Sequence, residues 1–213
     1  MVGLKKKASV GTQARLSSLA WVICDITNPC VLSVFFLLVV SYSLSSDPAT
    51  FISWCVIMLL FLLILPLGYI YLRLYLSQAL IGYRTNPTNF LKTHPKDVII
   101  LGIVFGLLCL VTLLYFKAPS LLLCTLTALL VTSFLVSVCN IFYRVSYHLS
   151  AITILVIMAV VIWGPILLIL LVTIPIIGWA KYRIQDHTIL QLILGIVLSA
   201  AICLATAHFY LVS

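Results

Sequence analysis

The sequence predicts an all-α protein: a polytopic transmembrane helical bundle of about six to seven membrane helices, two of them short and split at Gly164-Pro165. Three observations predict it. The 213 residues are 64% hydrophobic and only 8% charged, with a mean hydropathy of +1.31, which excludes an ordinary soluble domain. The apolar residues form long continuous runs instead of alternating with period two, so a transmembrane β-barrel is not expected. No polar segment is long enough to bury a core of its own, so residues 28–213 read as a single transmembrane helical domain.

Residues 1–27 read as a basic N-terminal tail, with Lys5, Lys6, Lys7 and Arg15, followed by a candidate interfacial helix. A cleavable signal peptide would need an apolar core and a small-residue cleavage site, and residues 16–24 are short and amphipathic instead. The first span is placed at 30–44, after Asn28-Pro29 and before the polar turn Ser45-Ser46-Asp47-Pro48. The second, 51–72, is expected to break or kink near Pro66-Leu-Gly68. After the polar segment 77–97 come spans at 98–116 and 120–139, joined through Lys117-Ala-Pro119. The apolar run 151–178 has 28 residues, too long for one span, and Gly164-Pro165 divides it into 150–163 and 165–178, with proline at a favoured first helical position. A last span occupies 188–210, and His208 at its far end is read as interfacial.

With the basic tail inside, the turns at 45–48, 117–119 and 164–165 lie outside, and 77–97, 140–150 and 179–187 lie inside. Of the 12 Lys and Arg residues only Lys117 then falls outside, as the positive-inside rule prefers. The charge placement therefore predicts a multi-pass membrane protein with a cytoplasmic N-terminus. The net charge of +8 fits anionic headgroups or a phosphate-bearing substrate. Nucleic acid is not an expected partner, because the basic residues are scattered singly between spans. The seven cysteines include no C-x-x-C pair and read as small apolar residues.

Three polar segments on one face define one bundle mouth. The segment Trp179-Ala-Lys-Tyr-Arg-Ile-Gln-Asp-His187 packs two cations, an acid and a histidine into nine residues of a chain that is only 8% charged. The segment at 140–150 adds Arg144 and, four residues on, His148. Two histidines beside several cations suit phosphoryl transfer. That chemistry needs positive charge on the non-bridging oxygens, a nucleophile, and an acid for the leaving group. The four acids Asp25, Asp47, Asp97 and Asp186 are spread along the chain, so no metal site and no cofactor are expected. Structural readings stand beside these: lysine and arginine anchoring helix ends, and Ser146 or Ser150 capping a helix.

The run Trp-Ala-Lys181-x5-His187-Thr-x2-Gln191-x3-Gly195, preceded by Arg144-Val-Ser-Tyr-His148, resembles the membrane-embedded type 2 phosphatidic acid phosphatase superfamily, in a divergent prokaryotic branch. The likeness covers roughly the C-terminal third of the chain. It implies His187 as nucleophile, His148 as general acid, and Lys181 as the phosphate-binding residue of the third motif. It also implies Ser146 as the serine of the second motif and Gln191 as the residue orienting His187. Arg183 and Arg144 are further phosphate-binding candidates at the mouth, and Arg84, Lys92 and Lys96 are candidates for the first motif. Four features depart from the pattern. Lys181 stands for arginine, Tyr147 for glycine and Gln191 for aspartate, and none of the first-motif candidates has the Lys-x6-Arg-Pro spacing.

The expected function is an integral membrane phosphatase acting on a lipid or polyprenyl (di)phosphate through a phosphohistidine, with membrane lipids as its other partners. The alternative is a non-catalytic protein on the same scaffold that binds or moves anionic lipid. A small-solute transporter with helices kinked at Pro66 and Pro175 is a third reading, opposed by the lack of an internal repeat.

Overall fold

The structure is a computed structural model; it describes residues 16–81 and 95–212, the side chains of 77–81, 95–100 and 212 excepted. Arg84 and Lys92 lie outside the described residues. Every regular element among the described residues is helical: α1 (Leu16–Ile26), α2 (Pro29–Leu44), α3 (Pro48–Leu59), α4 (Leu65–Ile81), α5 (Pro95–Tyr115), α6 (Ser120–Phe142), α7 (Tyr147–Trp163), α8 (Thr173–Arg183) and α9 (Ile189–Val212).

Local chemistry sets most boundaries. Asn28 caps α2 by accepting from the Cys30 amide at 3.0 Å, and Pro29 opens the helix without needing its missing N–H. Asp47 does the same for α3, taking the Thr50 amide at 2.9 Å and its hydroxyl at 2.6 Å ahead of Pro48. α5 ends in a Schellman turn: Lys117 adopts φ 53°, its amide bonds Leu114 O, and the Ala118 amide bonds Leu113 O, both at 3.0 Å.

The interruption expected near Pro66 takes another form. Pro66 lacks the amide that would bond to Leu62 O, and its ring crowds that carbonyl. The helix relieves the conflict by widening into a π turn at Leu60–Ile64 just before the proline. α3, this turn and α4 run on as one apolar rod, Pro48–Leu76 among the residues with described side chains.

The break at Gly164-Pro165 is present. α7 stops at Trp163, and Gly164 sits at φ 97° and ψ 176°, a region open essentially to glycine alone. The half that follows was expected to be a short helix over 165–178. It begins instead with eight residues of 3₁₀ winding, Pro165–Val172, before α8. A 3₁₀ turn rises about 2.0 Å per residue against 1.5 Å in an α-helix, so Pro165–Arg183 reaches about 32 Å, enough for a hydrocarbon core of about 30 Å.

α7 packs between α6, α9, α2 and the returning 3₁₀–α8 arm. The main core comprises Leu37 and Val40 of α2, Met58 of α3, Leu113 of α5, Leu122 and Leu126 of α6, and Ile154 and Met158 of α7. At the end of the bundle remote from the α6–α7 turn, Trp163 Nε1 donates to Ser43 Oγ at 3.2 Å, and Phe36 meets the indole edge-on at 5.6 Å. Outward faces stay apolar: Phe35, Ile52, Val56, Val111, Ile169 and Val197 are all exposed. Helices that are apolar outside as well as inside suit lipid surroundings. Four helices are long and apolar enough to cross a membrane, Pro48–Leu76, Ser120–Phe142, Pro165–Arg183 and Ile189–Leu211, and α1 with α2, bent by 46°, makes a fifth if the pair is one span. These helices are those of a multi-pass membrane protein.

Candidate functional site

The site is built from three helix ends. α8 carries Lys181 and Arg183 in its last turn, where cations complement the carbonyl end of the helix dipole. A Schellman turn closes it: Gln185 takes φ 56°, its amide bonds Tyr182 O at 3.1 Å, and the Asp186 amide bonds Lys181 O at 3.2 Å. That 6→1 bond folds Asp186 back over the helix end. Its Oδ2 lies 2.7 Å from Lys181 Nζ, the ammonium being buried (residue 6% exposed) and the carboxylate half-exposed. Burial works against the Asp186 carboxylate, and the Lys181 hydrogen bond and charge outweigh it, so its pKa lies below the usual 3.8.

α9 opens with a capping box. The Thr188 amide donates to Gln191 Oε1 at 3.0 Å, and the Gln191 amide donates to Thr188 Oγ1 at 3.4 Å. His187 is thereby pinned between the end of α8 and the start of α9. Its Nε2 lies 3.8 Å from Asp186 Oδ2, while its buried Nδ1 has no hydrogen-bond partner among the described residues. Burial, then the positive fields of Lys181 and Arg144, hold its pKa below the ordinary 6.5 against the pull of Asp186 and of the Gln191 side chain, so His187 is neutral at pH 7.

The third end is the α6–α7 turn. Asn140 Oδ1 accepts the Val145 amide at 2.6 Å, which holds the turn after Tyr143 and presents Arg144 at the surface. Ser146 starts α7 with its backbone, its carbonyl receiving the Ser150 amide at 3.1 Å; its hydroxyl is fully buried and unpartnered among the described residues. Tyr147 turns outward, its hydroxyl 2.9 Å from Ser137 Oγ of α6, and so does not crowd the histidines. His148 lies beside the backbone of Cys24 and in the fields of Lys181, Asp186 and His187. α1 therefore crosses the mouth, packing Ala20 and Cys24 on Ala180.

Gly195 sets the closeness of α7 and α9. A Cβ there would stand 3.0 Å from Ser146 O and 3.1 Å from Ser150 Oγ, and Ser150 Oγ donates to Gly195 O at 3.2 Å. Glycine lets the start of α7, with Ser146 and His148, approach the strip that carries His187 and Gln191.

A cleft of about 480 Å³ opens between these ends, lined in part by Arg144, Arg183, Asp186, His187, Thr188 and Gln191. Arg183 Nε is buried without a partner among the described residues. The structure thus gathers His187, His148, Lys181, Arg183, Arg144 and Gln191 at one mouth. Lys181 and Ser146 lie behind the cleft surface. Lys96 lies in the first turn of α5, its side chain outside the description. Two participants were missed in sequence: Asp186, set aside among scattered acids although it directly precedes His187, and Thr188, whose T-x-x-Q spacing to Gln191 is a capping-box signature. The arrangement can bind an anion through two arginines beside a neutral imidazole.

No protein-family model, no curated protein and no solved structure matches the chain.

Proposed function

We propose that the chain is an integral membrane phosphatase that hydrolyses a lipid or isoprenoid (di)phosphate through a phosphohistidine, in a bundle crossing the membrane six or seven times with its N-terminus in the cytoplasm. One observation carries this reading: the convergence of His187 and His148 with Lys181, Arg144 and Arg183 at one mouth of an apolar bundle. The guanidinium groups of Arg144 and Arg183 hold the phosphate oxygens, and the lipid tail runs along the apolar helices. A His187 nitrogen attacks phosphorus with its lone pair, and the P–O bond to the lipid breaks. Burial and the Lys181 charge hold the free His148 imidazole neutral, and the bound dianion draws onto it the proton that it then donates. His148 gives its proton to the departing oxygen, then takes one from the water that attacks the P–N bond, releasing phosphate and regenerating His187.

The test is phosphate release from a panel of isoprenyl and diacylglycerol phosphates in EDTA. Release by wild type that disappears in His187→Ala is the expected result. Full activity in His187→Ala would sink the mechanism. A second reading, a non-catalytic binder of anionic lipid, draws support from the burial of Lys181 and its existing pairing with Asp186. Lipid binding that survives joint His148→Ala and His187→Ala substitution, with no release by wild type, selects it. Labelling of a cysteine introduced at Gln185 from either side of the membrane decides which face holds the mouth.

A further inference from the structure

On the phosphatase reading, a nucleophilic histidine needs a group that holds its ring and balances the positive charge it gains. Gln191 is neutral, and its oxygen already receives the Thr188 amide in the capping box. A neutral amide can hold an imidazolium but cannot compensate its charge. Among the described residues, the carboxylate closest to the ring is on the adjacent residue. Asp186 Oδ2 is hydrogen-bonded to Lys181 Nζ at 2.7 Å, and the same oxygen stands 3.8 Å from His187 Nε2, within ion-pair reach of a charged ring. The position is built, because the Asp186 amide is tied to Lys181 O by the Schellman turn and the α9 cap fixes the residue after His187.

We propose that Asp186 is the residue that positions and charges His187, sharing one carboxylate oxygen between the imidazole and the Lys181 ammonium. Lys181 then has a second use. Its hydrogen bond and charge keep the carboxylate ionised, so that the oxygen can close on the ring as positive charge develops there. The groups facing His187 are Asp186 and Lys181 from α8 and its cap, Arg144 and His148 from the α6–α7 turn, and Gln191 from α9; Cys24 of α1 lies in the fields of Lys181 and Asp186.

The experiment has two readouts on full-length protein in lipid nanodiscs. The first is the His187 titration by long-range ¹H–¹⁵N NMR, assigned against His187→Ala. Asp186→Asn is expected to lower its midpoint by about one unit, and adding Gln191→Asp to that variant to bring it back. The second is phosphate release: Asp186→Asn lowers kcat about tenfold or more without raising KM, and Gln191→Asp restores it. A midpoint unmoved in Asp186→Asn overturns the proposal, as does a tenfold gain from Gln191→Asp alone. If Asp186→Asn fails to fold, the same substitution in a Lys181→Met background, which strands no ammonium, decides: a His187 midpoint unmoved from that of Lys181→Met overturns the proposal. If wild type releases no phosphate, the phosphatase reading falls, while the titration still decides whether Asp186 holds the ring.

Discussion

Gly195→Ala tests the packing that brings the two histidine-bearing strips together. The added Cβ would lie 3.0 Å from Ser146 O and 3.1 Å from Ser150 Oγ, the first a backbone atom at the start of α7. Ser150 can rotate away, but that gives up its 3.2 Å bond to Gly195 O, a loss of about 1 kcal/mol. Moving the Ser146 backbone means moving the α7 terminus, an overpacking cost of about 1–3 kcal/mol. Alanine returns about 1 kcal/mol through helix propensity. The net is a destabilisation of about 1–3 kcal/mol, or roughly 5 °C in the unfolding midpoint of a chain this size. Thermal unfolding of purified protein in one detergent, read by circular dichroism, measures it. Ser150→Ala should recover part of the loss in the Gly195→Ala background, since it removes one of the two clashing atoms. A Gly195→Ala protein as stable as wild type or more so would refute the close-approach argument.

The Lys181–Asp186 pair should respond asymmetrically. Asp186→Asn strands an ammonium that is 6% exposed and should cost about 3 kcal/mol, whereas Lys181→Met leaves a half-exposed carboxylate and should cost about 1 kcal/mol or less, both read from unfolding midpoints. Gln185→Gly relieves a glutamine held at φ 56° and should stabilise by about 0.5–1 kcal/mol in the same assay, provided the Schellman turn is as described. The acid dependence follows from two depressed pKa values. His187, whose pKa is lowered from 6.5, contributes stability present above pH 6.5 and lost as pH falls through its folded pKa; the acid limb of kcat/KM should likewise lie below pH 6.5. Asp186, lowered from 3.8, contributes stability that persists to lower pH and is lost as pH falls through its folded pKa, and Asp186→Asn should remove that lower limb from a pH–stability profile.

The all-helical class and most helix limits were legible in the chain because they depend on neighbours in sequence. Asn28-Pro29, Asp47-Pro48 and Gly164-Pro165 act through caps, a missing amide and a backbone angle, all within a few residues. The two histidine segments could also be placed at one mouth by alternating spans across a bilayer. The pairing of charges was decided in three dimensions. Lys181 reads as a free cation until the α8 cap folds Asp186 onto it, and Gln191, read as a partner for His187, also takes the Thr188 amide on its oxygen. The same holds for α1: its amphipathic sequence suggests an interface, but only its packing on Ala180, with Cys24 beside His148, puts it across the mouth. Helix limits follow from local backbone chemistry, whereas which charge meets which depends on chain segments that approach only in the folded bundle.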